Sequence, residues 1–284
     1  MFIMNIDKPL KELLQFCVIN IDKPAGPTSF SVGQFVKKEL NAKKTSHFGT
    51  LDPEVTGVLP IAVNRACRLN EFLMHRDKEY VGVMRLHKDM GEKELNEEMK
   101  KFKGKIIQLP PVRSRVKRAE REREVKRFEI IEKIGKDVLF IAEVQAGTYI
   151  RKICSDLGEK IGGAHMLELR RIRAGDFRED RIYNLYEFEK AVSEWKNNGN
   201  EKPLREMCIP GEIALEKVMP SVHIKKEVMK QMMDGKPLMK QDVLDKLQSN
   251  EMGKFAVYCE NIFIAVMRSV DEGDIVGRAD FVLN

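Results

Sequence analysis

The residues from Val125 to Ala146 restrict the fold more than any other stretch of this 284-residue chain. Val125 to Ile134 and Val138 to Ala146 are both rich in β-branched and aromatic residues, with Gly135-Lys136-Asp137 between them. Two such runs on either side of a glycine turn predict a long antiparallel hairpin. Such a hairpin is apolar along one face, so it needs more strands beside it and helices over it. The chain supplies both. Cys17 to Asp22 reads as a short strand, ended by the turn cluster Lys23-Pro24-Ala25-Gly26-Pro27. Thr28 or Ser29 then caps a helix whose Phe30, Val32, Phe35, Val36 and Leu40 fall at helical spacing. Asn41 to Pro53 reads as a polar loop, Arg65 to Met74 as an amphipathic helix and Glu79 to Leu86 as an alternating strand. Gly91 to Phe102 is a charged helix, Thr148 to Ile161 another, and Leu167 to Ile172 a strand. Regular strand–helix–strand alternation is missing. The expected class is α+β, with a mixed, largely antiparallel central sheet and flanking helices.

Length argues for more than one domain, since a single domain usually has about 150 residues. A helix from Leu185 to Asn198 runs into Asn197-Asn198-Gly199-Asn200, a linker candidate. Beyond it, a helix near Lys225 to Met233, a turn at Gly235-Lys236-Pro237 and strands at Phe255 to Cys259, Ile262 to Met267 and the C-terminus form a small β-rich unit. The expected division is a main domain over 1–183, a connector over 184–207 and a second domain over 208–284. Composition mostly excludes. No apolar run approaches the ~20 residues of a membrane span. Asp7, Lys8, Lys11 and Glu12 interrupt the N-terminal stretch, so it does not read as a secretory signal. The five cysteines are widely spaced and the five histidines show no ligand spacing, so neither a disulfide framework nor a metal site is expected. A cytoplasmic protein is the expectation, with no membrane partner.

Fifty Lys and Arg against forty-four Asp and Glu leave a net charge of +6, which alone identifies no partner. Its distribution says more. Pro111 to Arg127 holds eight basic and three acidic residues. Arg113, Arg115 and Lys117 alternate, so on a strand they share one face, with Arg118 following. A phosphate-tracking surface and a solvated strand pair both fit this pattern.

The densest signal is His47-Phe48-Gly49-Thr50-Leu51-Asp52-Pro53-Glu54-Val55-Thr56-Gly57-Val58-Leu59-Pro60, read as a loop between two helices carrying one carboxylate, Asp52. The string strongly resembles the signature of the TruB/dyskerin pseudouridine synthases. Three further stretches resemble that family in its order: Asp22-Lys23-Pro24-Ala25-Gly26-Pro27-Thr28-Ser29, Lys78-Glu79-Tyr80-Val81-Gly82, and Gly147-Thr148-Tyr149-Ile150-Arg151-Lys152-Ile153 with Leu167-Glu168-Leu169-Arg170-Arg171. The first of these and Pro110 to Arg118 look more like the archaeal and eukaryotic dyskerin branch. Ser46 and Phe48 depart from the family's usual Gly and small residue. The resemblance implies the pseudouridine synthase fold, and the weaker likeness of residues 208–284 implies a β-barrel-like PUA module that binds RNA.

It further implies an isomerase that needs no cofactor and no metal. Asp52 is then the nucleophile, Arg151 its ion-pair partner and Tyr80 the active-site tyrosine. Tyr149 and Leu169 would wall the base pocket. His47 would fill the gap left by a flipped base or cap the loop. Lys23 and Gly26 belong to the motif that buttresses the loop, and Arg113, Arg115, Lys117 and Arg118 would contact RNA. One carboxylate suits this reaction, which breaks N1–C1′ and forms C5–C1′ without redox or energy input. The substrate would be the T-loop uridine-55 of tRNA, or rRNA sites chosen by an H/ACA guide RNA with small ribonucleoprotein partners. A non-catalytic RNA-binding scaffold is the rival reading, and the set Asp52, Tyr80, Arg151 argues against it. Nucleotide-driven remodelling lacks a phosphate-binding loop of the G-x-x-x-x-G-K-[ST] type.

Overall fold

A computed structural model describes residues 8–110, 118–216, 218–245 and 253–283. The hairpin forms as β6 (Arg121–Ile134) and β7 (Asp137–Val144), paired from Val125 opposite Val144 to Ile134 opposite Asp137. Phe128 and Phe140 meet edge to face across it, ring centroids 5.4 Å apart. The free side of β7 takes β4 (Lys78–Leu86), which in turn pairs antiparallel with β8 (Ala164–Ala174). On the far side of the hairpin β5 (Gly104–Gln108) pairs with β6. β1 (Phe16–Lys23), β2 (Thr45–His47), β3 (Thr56–Asn64) and β9 (Phe177–Arg178) complete the sheet. Its order runs β1-β3-β8-β4-β7-β6-β5, with β2 on β3 and β9 on β8. Only the β3–β8 contact, among the pairings with a described register, is parallel there. The sheet is therefore mixed and largely antiparallel.

Helices Ser29–Leu40, Glu92–Lys100, Ile150–Ile161 and Leu185–Asn198 flank it. The hydroxyl of Thr28 accepts from the Ser31 N–H at 3.0 Å, capping the first of them. Asn184 and Glu187 form a reciprocal capping box on the last.

The structure differs from expectation where local pattern is weakest. Thr56–Asn64 is a strand, not the second half of a loop. All its residues but Thr56 are buried, so no alternation reveals it, and Pro60 inside it argues against a strand. Pro60 has no N–H to give, but its carbonyl still pairs with β2's continuation, accepting from the Phe48 N–H at 3.2 Å. The expected Arg65–Met74 helix is a 3-10 turn, Arg65–Leu69, followed by a single turn at Asn70–Leu73. Likewise, Lys225 to Met233 resolves into Lys226–Val228 and Met229–Met233.

Two compact units emerge. Ile19–Met207 forms the one just described. The other runs from Cys208 and includes the N-terminal stretch through Val18. It contains β10 (Cys208–Pro210), β11 (Ser221–His223), β12 (Leu238–Met239), β13 (Lys254–Cys259), β14 (Ile262–Glu272) and β15 (Ile275–Val282). The last five make a curled sheet of order β11-β13-β14-β15-β12. Its core includes Val222, Met232, Leu238, Phe255, Val257 and Ile264. Phe16 stacks on Phe263 at 5.4 Å, and Lys8 pairs with the buried Glu212 at 2.5 Å. Among the described residues no helix is long and apolar enough to cross a membrane.

Candidate functional site

The loop between β2 and β3 carries Asp52, and β1 and the turn after it hold the loop's backbone. Lys23, at the end of β1, is 0% exposed. Its ammonium donates to the carbonyls of Pro24 (2.8 Å), Pro53 (2.8 Å) and Val55 (2.9 Å). All three of its N–H bonds are used, so the buried charge is fully hydrogen-bonded. Burial still lowers its pKa, against the attraction of Glu54 and Asp52. Gly26 N–H donates to the same Pro53 carbonyl at 3.0 Å. Ser29 closes the clamp. Its hydroxyl donates to the Leu51 carbonyl (3.0 Å) and accepts from the Leu51 N–H (2.8 Å). The residues before and after Asp52 are thus both fixed by their main chain.

The other end of the loop is tied to β8. Gly57 lies opposite Arg171 in the parallel pairing and has φ +99°. A Cβ there would sit 2.2 Å from the Arg171 carbonyl oxygen, so no other residue fits. Arg170 and Arg171 then diverge, because successive strand residues point to opposite faces. Arg170 reaches Asp22 through two bonds, 3.0 and 3.1 Å, and Glu179 at 3.0 Å. Arg171 turns inward and is 1% exposed.

Asp52 itself stays open. Its Oδ2 accepts from Arg151 Nη2 at 2.5 Å, and each side chain of the pair keeps 54% of its exposure. Arg151 lies in the first turn of helix Ile150–Ile161, and Tyr149 is that helix's N-cap residue. Gln108, at the end of β5 and 2% exposed, grips the Tyr149 main chain from both sides. Its amide donates to the Tyr149 carbonyl (3.2 Å) and accepts from the Tyr149 N–H (3.0 Å). This grip sets where Tyr149 and Arg151 begin.

Tyr80 and Leu169 come from neighbouring strands and are each 8% exposed. Tyr80 is opposite Arg171 and Gly82 opposite Leu169. A Cβ on Gly82 would meet Phe140 at 2.6 Å and Leu169 at 2.8 Å, so glycine leaves the room that Leu169 occupies. His47 is half-buried at the end of β2, with Thr50 Oγ1 3.4 Å from its Nε2. Burial holds its pKa below the ordinary histidine value, so it is neutral at pH 7. Phe48 packs against Phe177 at 5.8 Å and is 1% exposed, which places this departure from the family pattern in the core.

Arg118 is exposed just before β6, while Arg113, Arg115 and Lys117 lie outside the described residues. Arg171, Gln108, the structural use of Ser29, and Lys78 escaped the sequence reading. Lys78, 4% exposed, donates to the carbonyls of Met74 (2.6 Å) and Arg76 (2.5 Å). Burial, assisted by Arg171, brings its pKa down to about 7. The one signal for Arg171 was an arginine doublet in a strand, which places one of the two inward without saying which.

The site thus combines one carboxylate in ion contact with one guanidinium, two half-to-fully buried tyrosines and an apolar wall, on a backbone frame built by buried cations. It can present an oxygen nucleophile to a planar ring.

The chain is similar to known proteins over most of its length. The family model "TruB family pseudouridylate synthase (N terminal domain)" matches residues 37–150, and "tRNA pseudouridylate synthase B C-terminal domain" matches residues 151–216. The probable tRNA pseudouridine synthase B of Methanopyrus kandleri is 47% identical over 220 residues, 77% of this chain and 65% of that protein. The match to its Archaeoglobus fulgidus counterpart is also 47% identical, covering 77% of this chain and 67% of that one. Against the first relative, then, the chain spans less than two thirds of the length. Among solved structures, a chain in a Cbf5–Nop10–Gar1 complex superposes with TM-score 0.86 at 37% identity, over 97% of this chain and 87% of its own. A chain in an H/ACA RNP bound to a substrate RNA containing 2′-deoxyuridine gives TM-score 0.86 at 35% identity, over 98% and 88%. On its motifs, its sheet order and these matches, the chain belongs to the TruB family of pseudouridine synthases.

Proposed function

We propose that the protein isomerises uridine to pseudouridine in RNA, with Asp52 as the nucleophile. The observation that carries this reading is the Asp52–Arg151 contact, which sets a half-exposed carboxylate beside a guanidinium at 2.5 Å on a loop whose backbone is otherwise locked. A carboxylate oxygen held in place by a guanidinium and open on its other side is positioned to attack carbon. Tyr80, Tyr149 and Leu169 would enclose the uracil once it leaves its stack, and His47, neutral and partly buried, would stand beside the gap. Lys23 and Gly26 act on the chemistry only through the loop they hold. In domain terms, residues 1–183 carry the catalysis, 184–207 connect, and 208–284 bind RNA as a PUA-like module.

Two substrate modes follow from the relatives. Those named tRNA pseudouridine synthase B support the T-loop uridine of tRNA. The Cbf5 complexes with Nop10, Gar1 and substrate RNA support guide-directed modification, in which small H/ACA proteins and a guide RNA are the partners. Cytoplasmic action suits both.

RNA carrying tritium at uridine C5 tests the proposal, because forming the C5–C1′ bond sends that label to water. Wild type should release tritium, from tRNA alone or with guide RNA and partner proteins, and Asp52→Asn should release none. Release by Asp52→Asn at the wild-type rate would remove Asp52 from the mechanism. Release only in the guided mixture would decide the substrate mode. Neutralising Arg113, Arg115 and Lys117 together should weaken RNA binding and make its log–log salt slope shallower by about 0.7 per lost phosphate contact.

A further inference from the structure

Arg171 is the charged group that the scheme above leaves without a task. It is fully buried, and taking a guanidinium out of water costs several kcal/mol unless its donors are satisfied. Its donors go to two separate parts of the site, and a third part faces it across the sheet. Nε donates to the Val58 carbonyl on β3 at 2.7 Å. Nη2 donates to the Gly49 carbonyl in the Asp52 loop at 3.0 Å. The hydroxyl of Tyr80 on β4, the residue opposite it in the sheet, interacts electrostatically with the guanidinium.

The direction of that last contact is settled by chemistry. A guanidinium has five N–H donors in a rigid fork and no acceptor. The Tyr80 oxygen, with its lone pairs, therefore faces Arg171, and the phenolic O–H is turned away from it. Leu169 stands two residues earlier on β8 and so shares a face with Arg171. The proton of Tyr80 and the wall formed by Leu169 are thus set by one strand. Lysine would not do this, because a single ammonium on a flexible stem cannot span the Gly49 carbonyl, the Val58 carbonyl and a phenol at once.

We propose that Arg171 is a positioning residue of the uridine-isomerising site, fixing the Gly49 carbonyl of the Asp52 loop and orienting the Tyr80 hydroxyl toward the bound base. This rests on the activity proposed above, and it assigns Arg171 no contact with substrate.

A double-mutant cycle tests it with single-turnover tritium release on RNA. The variants are Arg171→Lys, Tyr80→Phe and the pair, each checked for thermal melting and RNA affinity. Arg171→Lys should slow the chemical step by about tenfold or more while the RNA dissociation constant moves less than about twofold. In the Tyr80→Phe background the same substitution should cost clearly less than in wild type, because the hydroxyl it orients is already gone and only the loop contact at Gly49 remains to be lost. Equal losses in both backgrounds, or a fully active Arg171→Lys, would overturn the proposal. Should Arg171→Lys fail to fold, the guanidinium N–H resonances of Arg171 give the second reading. Tyr80→Phe should shift them, and unshifted resonances would show that the contact does not exist. Failure of wild type to release tritium is a separate result, which strikes the activity and not the contact.

Discussion

Lys23 and Arg171 have exposures of 0% and 1%, whereas the side chains of Asp52 and Arg151 each keep 54%. All four are charged and all belong to one loop and its surroundings. The buried pair spends its N–H bonds mostly on main-chain carbonyls, which the fold supplies in fixed places. The exposed pair bonds to itself, across a contact that water can enter. In water such a pair is worth roughly 0–1 kcal/mol. Its Coulomb energy grows several-fold once a ligand displaces that water and lowers the local dielectric. The frame is thus complete before any base arrives, while the reactive pair reaches full strength only when covered. Substitutions in the two sets should therefore fail differently.

The largest contrast is between Asp52→Asn and Lys23→Met. Asp52→Asn removes an exposed charge, so turnover should vanish while the melting temperature stays within about 2 °C of wild type. Lys23→Met leaves the carbonyls of Pro24 and Val55 without that donor and the Pro53 carbonyl with Gly26 N–H alone, and should cost about 3–5 kcal/mol. Chemical denaturation reads that loss directly. If Lys23→Met melts like wild type and loses only turnover, the division between frame and reactive pair is wrong.

Lys78 offers a smaller test, through pH. Its pKa in the folded protein is lowered to about 7 from an ordinary value of 10.5. Between those values the unfolded chain holds a proton that the folded chain has lost. Stability must then rise with pH across that interval, since it rises wherever the unfolded state binds more protons. Below pH 7 the lysine is buried in its charged form, and its cost is fully present. Unfolding free energies taken at pH 6, 8 and 10 should climb for wild type relative to Lys78→Met, by an amount on the order of a few kcal/mol in total. A difference that stays flat would mean that the carbonyls of Met74 and Arg76 keep the ammonium charged.

The exposed half of this comparison could be read from sequence and the buried half only in part. Asp52, Tyr80 and Arg151 sit in strings dense enough to carry the family resemblance, and Lys23 and Gly26 come with the first of those strings. The long hairpin was visible because two runs rich in β-branched and aromatic residues flank a glycine turn. β3 has no wet face, and its proline imitates a loop, so its residues from Val58 onward offered no period to detect. Arg171 stayed hidden for a related reason. Which member of Arg170-Arg171 points inward depends on the phase of β8 against β4, and the bulges between Glu79 and Tyr80 and between Val83 and Met84 shift that phase. Gln108 was obscured by distance, since its partner Tyr149 is 41 residues away on a helix start. Local pattern reports exposure well. It reports the partners of buried polar groups poorly, because those are chosen by register and not by neighbours in sequence.

The smallest expected effect lies on the other arginine of the doublet. Arg170 is bidentate to Asp22 and also reaches Glu179, which links β8 to the end of β1. That position invites the reading of a structural bolt equal to Lys23. Exposure argues otherwise, because the side chains of Arg170, Asp22 and Glu179 keep 37%, 30% and 44% of their surface. Water and salt compete for a contact of that kind, and Asp22→Asn leaves Arg170 solvated and still facing Glu179. The loss should be about 0.5–1 kcal/mol at low salt and should shrink as ionic strength passes roughly 0.5 M. Melting curves at two salt concentrations measure it. A salt-insensitive loss as large as that of Lys23→Met would make burial the wrong criterion, and the geometry of a two-pronged arginine contact the right one.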